Sequence, residues 1–247
     1  MVLGWLRGCL ATRRAHTVRG RPRLADDVFR VDAKAEGMSV AIGGWKPVRD
    51  QEGQIRKELS PWFSIRLDEA SAPWAFSRGL PARAISTLEL LASTVALMLL
   101  PTGAEEVRHK RGSIRVAGFT DSQVSANVIR RGMTTSFPLC CVVMELAAQL
   151  ETKNAELNLE WAPRDQNAEA DALADGRTEG FDPARRAEAE MKSLPWILLP
   201  KLMEAGTDHY KQQRTLLQEG GGSRGVDLAA AGKRRKVGER LRDREPW

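Results

Sequence analysis

Cysteine and histidine are both scarce in this chain of 247 residues, which contains three of each. The cysteines are Cys9, Cys140 and Cys141, and an odd number with two adjacent members excludes a disulfide framework and a zinc site. We therefore expect a reducing compartment. The longest apolar run, 88–100, is interrupted by polar residues and is too short to span a bilayer, so the sequence predicts no transmembrane helix and no membrane partner.

Acidic residues are absent from residues 1–24, which include six arginines. This pattern fits an organellar transit peptide, a disordered basic arm or the end of an upstream domain, and we favour the last two together. Residues 218–247 are rich in glycine and then basic, with Lys-Arg-Arg-Lys at 233–236, which predicts a disordered tail. The net charge of +6 indicates a polyanionic partner. We expect a nuclear or cytoplasmic location, with an organellar one as the alternative.

Apolar periodicity predicts an α/β domain over residues 26–178, with a mixed five-stranded sheet flanked by helices. It lies between a basic arm or remnant (1–25), a helical extension (179–217) that prolines interrupt, and the flexible basic tail. Three antiparallel strands come first, with Gly43-Gly44 as a bulge in the second. The predicted strands are 28–32, 38–45, 62–67, 114–121 and 157–161, and the predicted helices are 86–100, 122–131, 139–153 and a last one from 168.

Four carboxylates have parallel settings in this plan. Asp32 closes the first strand, Glu89 opens the first helix, Asp121 closes the fourth strand and Asp171 lies in the first turns of the last helix. The alternative to a functional role is helix capping, because Ser86-Thr-Leu-Glu and Thr120-Asp-Ser-Gln both fit the capping box. The sheet could instead bring all four to one edge, where clustered carboxylates need cations to offset their repulsion. Such oxygen ligands suit Mg²⁺ or Mn²⁺.

Four segments in the same order resemble a known family. They are the opening Val31-Asp-Ala-Lys-Ala-Glu-Gly with Gly43-Gly-Trp, then Leu88-Glu-Leu, Thr120-Asp-Ser-Gln and Trp161-Ala-Pro-Arg-Asp-Gln-Asn-Ala-Glu-Ala-Asp-Ala-Leu. Residues 28–176 thereby resemble a type 1-like ribonuclease H domain of the kind found in retroelement reverse transcriptases. The resemblance implies a ribonuclease H-like fold and an endonuclease that cleaves the RNA strand of RNA–DNA hybrids. It also implies two Mg²⁺ ions, with Mn²⁺ as a substitute.

The resemblance assigns a role to each carboxylate. Asp32 would bridge both ions, Asp171 would help to hold the ion that activates the attacking water, and Glu89 and Asp121 would hold the ion on the leaving-group side. Hybrid recognition would rest on shape, phosphates and the 2′-hydroxyl. Candidate phosphate contacts are Arg108, Lys110, Arg111, Arg130 and Arg131.

Two departures from the family pattern leave alternatives open. The loop before the last helix has Arg164, Asp165 and Gln166 where many members carry a histidine. No polymerase domain precedes the matching segments, so we interpret the chain as a retroelement fragment or a coding remnant no longer selected for catalysis. The runner-up function is a catalytically inactive nucleic-acid-binding module, and a third option is another nuclease of the same superfold, an exonuclease or an integrase. Retention of all four carboxylates favours the enzyme, because a pure binding surface gains nothing from negative charge near phosphates.

Overall fold

The computed structural model of the chain describes residues 23–77, 79–101 and 114–219. The chain divides into two units, which comprise residues 1–206 and residues 207–247. All four candidate carboxylates belong to the first unit. Several sequence predictions fall outside the described residues: the arm before residue 23, the tail after residue 219, and the basic residues Arg108, Lys110 and Arg111.

A single mixed sheet of five strands has the order β3-β2-β1-β4-β5. β1 (Arg23–Glu36), β2 (Ser39–Trp45) and β3 (Trp62–Leu67) form an antiparallel meander. β4 (Ile114–Thr120) is parallel to β1, and β5 (Ala155–Trp161) is parallel to β4. The predicted mixed five-stranded sheet is therefore confirmed.

β1 differs from its prediction, because it does not end at Asp32. The strand continues to Glu36, and residues Ala33 to Glu36 pair with β2 through the register Glu36 to Ser39. Ala-Lys-Ala-Glu alternates small and charged residues, which is a weak strand signal in the sequence. These residues are extended because they pair with β2. Asp32 is thus a mid-strand residue.

The described part of the chain contains six α-helices. They are α1 (Pro73–Phe76), α2 (Ile85–Leu99), α3 (Gln123–Arg131), α4 (Leu139–Lys153), α5 (Ala168–Ala174) and α6 (Leu199–Glu219). Between α5 and α6 the chain forms turns and one short 3-10 helix, Pro183–Arg185, so the predicted extension is α-helical only from Leu199. Pro200 occupies the second position of α6, where a helix tolerates proline.

The main core lies between the sheet and helices α2 and α4. α2 is apolar on most of its surface and almost entirely buried, as expected from its sequence. The stretch Pro81–Leu99 is long and apolar enough to cross a membrane by length and composition alone, but 67 % of its apolar window is buried inside the protein. That burial is typical of the core helix of a globular domain.

α5 packs on the opposite face of the sheet, where a smaller apolar cluster forms around Trp45, Trp62 and Leu173. Gly43 makes this packing possible, because a Cβ there would lie 2.4 Å from the backbone nitrogen of Ala174. The predicted bulge at Gly43 and Gly44 is wrong, since the pairing of β2 with β1 runs through both residues without a shift. The two glycines serve close packing instead.

Candidate metal centre

β1 and β4 bring Asp32 and Asp121 to the same level of the sheet. Their parallel register pairs Arg30 with Phe119, so Asp32 and Asp121 each lie two residues beyond a paired position. β4 ends at Thr120, while β1 continues past it. The carboxyl end of β4 therefore leaves a gap beside β1, and this is the place where an open α/β sheet binds ligands.

Glu89 reaches this gap from α2 and is 5 % exposed. The hydroxyl of Thr120 donates a hydrogen bond to its Oε2 at 3.2 Å and accepts one from the backbone nitrogen of Ser122 at 3.1 Å. Glu89 caps no helix, because α2 begins at Ile85 and its N-cap position makes no side-chain hydrogen bond. Thr120 is not an N-cap either; Ser122 occupies that position of α3 and accepts from the Ser125 nitrogen. The capping alternative is wrong at both places.

Asp32, Glu89 and Asp121 form one cluster, in which a carboxylate oxygen from each lies within 4.8 Å of the others. Asp32 is 3 % exposed, and Asp121 is half-buried. Three carboxylates at such separations repel one another unless a proton or a cation intervenes.

The pKa values of the cluster record this repulsion. Burial, followed by the charges of Asp121 and Asp171, raises the pKa of Asp32 from 3.8 to about 8. Burial, followed by the charges of Asp32 and Asp121, raises the pKa of Glu89 well above its usual value. The protein therefore stabilises these side chains either in protonated form or with a cation in contact.

The donor set fits a hard divalent cation. All three side chains offer carboxylate oxygens, which Mg²⁺, Mn²⁺ and Ca²⁺ prefer as ligands. Each residue is also held in place: Asp32 by a strand paired with β2, Glu89 by a core helix, and Asp121 by the turn between β4 and α3. The cluster could hold a divalent cation without rearranging the core.

Asp171 lies beside this cluster rather than within it. Its charge raises the pKa of Asp32, so the two carboxylates lie close enough to interact. Both of its oxygens are engaged by guanidinium groups. Nη2 of Arg164 lies 2.6 Å from Oδ1, and Nη2 of Arg177 lies 3.4 Å from Oδ2. Of the four predicted site carboxylates, the structure thus clusters three and places the fourth next to them in an ion pair.

A groove of about 770 Å³ opens onto the cluster. Trp161 lines it with 47 % of its surface exposed, and its Nε1 donates to the backbone oxygen of Asp121 at 3.0 Å. The sequence analysis placed Trp161 in a strand and at the start of a family-like segment, but gave it no role in the site. A large aromatic at the end of an alternating strand, at the start of a segment that resembles the family, is the signal that could have identified it. Lys34 and Gln123 also line the groove.

Arg130 and Arg131, predicted as phosphate contacts, lie in the last turn of α3 and are exposed. Arg130 donates to Oδ1 of Asn127 at 2.8 Å and lines a second groove of about 490 Å³ between α3 and β5. Trp161 and Gln123 line both grooves, so the second groove adjoins the first. The role of the two arginines as phosphate contacts stays a prediction.

The sheet has four strands in one direction and β2 alone against them, with helices on both faces. This topology agrees with the ribonuclease H-like fold that the sequence resemblance implies. No protein-family model matches the chain, and no curated protein matches it significantly.

Several solved structures similar to this chain are RNase H proteins or domains. RNase H1 of the halophilic archaeon Halobacterium salinarum is 18 % identical, with a TM-score of 0.37 over 61 % of this chain and 96 % of that one. The N-terminal RNase H domain of a Mycobacterium tuberculosis protein is 17 % identical, with a TM-score of 0.38 over 63 % and 94 %. LC11-RNase H1, solved in complex with an RNA/DNA hybrid, is 15 % identical, with a TM-score of 0.37 over 62 % and 97 %.

Proposed function

We propose that this chain is a metal-dependent endonuclease that cleaves the RNA strand of RNA–DNA hybrids. The observation that supports this most is the cluster of Asp32, Glu89 and Asp121, with one oxygen of each within 4.8 Å of the others at the end of β4. Carboxylates this close together, two of them buried, destabilise the metal-free protein, and side chains are held in this way chiefly where they have a purpose. Binding of divalent cations is the purpose that suits their chemistry.

Each residue has a proposed task. Asp32, at the centre of the group, would contact both cations, while Glu89 and Asp121 would hold one and Asp171 the other. Two Mg²⁺ ions, or Mn²⁺ in their place, would supply an activated water and stabilise the leaving oxygen of a phosphodiester. Thr120 orients Glu89 through its hydroxyl. Trp161 and its hydrogen bond to the Asp121 backbone would fix the wall of the groove against which a strand of substrate lies.

The substrate class and origin rest on the sequence resemblance. Thr120-Asp-Ser-Gln and the segment 161–173 resemble the corresponding segments of ribonuclease H domains in retroelement reverse transcriptases. We infer the same substrate and the same origin. The exposed Arg130 and Arg131, beside the second groove, would contact phosphates of the duplex.

Cleavage of a labelled RNA–DNA hybrid by the purified chain, with Mg²⁺ and with a chelator, tests the proposal. Asp121→Asn should lower the cleavage rate by at least about a hundredfold, because a ligand charge is lost while the fold is kept. Asp165→Asn is the matched control, since Asp165 is an exposed aspartate of the nearby loop and should leave the rate unchanged.

Two outcomes would contradict the proposal. Wild-type rates for Asp121→Asn at saturating Mg²⁺ would show that the cluster binds no essential cation. Tight hybrid binding by the wild type without any cleavage would favour the inactive binding module.

A further inference from the structure

The ion pair between Arg164 and Asp171 is built into the fold. Arg164 begins a 3-10 helix, Arg164–Asn167, that follows β5. This segment is fixed on β1, because Asn167 donates from Nδ2 to the backbone oxygen of Val31 at 2.8 Å, and Arg30 donates from Nη1 to the backbone oxygen of Gln166 at 2.6 Å. The base of the Arg164 side chain is therefore held in a defined position next to Asp32.

The two arginines that contact Asp171 are not equivalent. Arg164 approaches Oδ1 with both Nε, at 3.2 Å, and Nη2, at 2.6 Å. Arg177 lies farther away, at 3.4 Å from Oδ2, and its Nη2 is closer to Asp175, at 2.9 Å. Arg164 is the main partner of Asp171, whereas Arg177 is chiefly the partner of Asp175.

Arg164 also lines the same groove as the three clustered carboxylates. The hydrogen bond and charge of Asp171 raise the pKa of Arg164, and the charges of Asp32 and Asp121 raise it further. In the other direction, the charge of Arg164 counteracts the rise in the pKa of Asp32. Its guanidinium is therefore close enough to Asp32 and Asp121 to interact with their charges.

We propose that Arg164 is a positioning residue that holds Asp171 beside the cluster and competes with divalent cations for its carboxylate. This inference rests on the proposed function, in which Asp171 helps to bind one of the cations. A cation that binds Asp171 and Asp32 together must take the carboxylate from the guanidinium. Since 74 % of the Arg164 side chain is exposed, it can turn into solvent without a large cost. Cation affinity at this site is then lower than the carboxylates alone would give.

Titration of the full chain with Mn²⁺, followed by calorimetry and by the electron paramagnetic resonance of free Mn²⁺, tests this inference without measuring cleavage. Arg164→Ala should tighten Mn²⁺ binding roughly three- to fivefold, the size expected for the loss of a competing exposed ion pair. Arg177→Ala is the matched control. It removes the same charge from the same carboxylate but should tighten binding less than about twofold.

A double-mutant cycle with Asp171→Asn separates competition from a general field effect. If Arg164 acts through Asp171, Arg164→Ala should leave Mn²⁺ affinity unchanged in the Asp171→Asn background. The same tightening in that background would mean that Arg164 acts only through its long-range charge, and it would overturn the proposal.

The remaining outcomes distinguish this inference from the proposed function. Mn²⁺ binding by the wild type with no change in Arg164→Ala overturns the role of Arg164 and leaves the nuclease proposal standing. No Mn²⁺ binding by the wild type or by any variant overturns both.

Discussion

Replacement of Asp32 by asparagine should change how the stability of the metal-free protein depends on pH. The pKa of Asp32 is raised from 3.8 to about 8 in the folded protein. Between these values the folded state holds a proton that the unfolded chain releases. The contribution of Asp32 to stability is therefore greatest at the acidic end of this range and is lost as the pH rises towards about 8.

The magnitude follows from the same values. The difference between 3.8 and about 8 corresponds to about 6 kcal/mol, at 1.36 kcal/mol for each pKa unit. Between pH 5 and 8 this amounts to a loss of roughly 3–4 kcal/mol in the free energy of unfolding. An asparagine side chain at this position carries no charge and so does not suffer this loss. The stability of Asp32→Asn minus that of the wild type should thus increase by roughly 3–4 kcal/mol across the window.

Urea denaturation in the presence of a chelator, at pH 5, 6, 7 and 8, measures this difference. The range from pH 5 to 8 lies above the ordinary pKa of carboxylates. A carboxylate with a lowered pKa, such as Asp175, therefore changes the stability only at more acidic pH. The thiol of Cys140, whose pKa is lowered mainly by a hydrogen bond with Cys141, acts with the opposite sign but cancels in the difference. Parallel curves for the two proteins would refute the argument that Asp32 is strained by burial and neighbouring charge.

Two further predictions concern packing and a buried carboxylate. Gly43→Ala should destabilise the domain by about 2–3 kcal/mol, since its Cβ would meet the backbone of Ala174 at 2.4 Å. In Gly53→Ala, where nothing lies within 4 Å, only the positive φ should cost about 1 kcal/mol; equal losses for both would refute the close approach. Glu145→Gln should cost about 2–3 kcal/mol, because the fully buried carboxylate accepts three successive backbone N–H groups leading into α6. The exposed Glu204→Gln is its control, and unfolding midpoints that coincide would contradict the assignment.

Elements with a strong local pattern were predictable from the sequence. α4 spans 139–153 and β3 spans 62–67, as their apolar periodicity indicated. Both lie against the core along their length, so local pattern and tertiary packing agree. The order of strands and helices followed from such segments.

The second half of β1 was not predictable in this way. Residues Ala33 to Glu36 have small and charged side chains, which are weak strand signals, and they are extended because β2 pairs with them. Glu89 and Thr120 gave a similar ambiguity. Both fit capping boxes locally, yet a hydrogen bond between them across 31 residues of sequence decides their conformation. Contacts made at long range override a cap that is worth about 1 kcal/mol.

The surroundings of Asp171 were the least predictable part of the site. Nothing in a spacing of seven residues says that Arg164 will turn back to its carboxylate. That contact requires the 3-10 helix to be fixed on β1 by Asn167, and this is known only from the structure. The sequence could identify Asp171 as a candidate site residue but could not identify Arg164 as its ion-pair partner.

β1 has different neighbours along its length, because β4 ends before β1 does. Before Arg30 it pairs with β4, at Arg30 it pairs with both neighbours, and after Arg30 the described pairings are with β2 alone. On the free side, residues Ala33 to Glu36 line the groove, and the backbone N–H of Ala33 already donates to Glu89. This exposed edge of β1 offers main-chain groups to a polar partner such as a sugar–phosphate backbone, and such contacts do not depend on the base sequence of the partner. The charged side chains of Lys34 and Glu36 discourage another β-strand from pairing there.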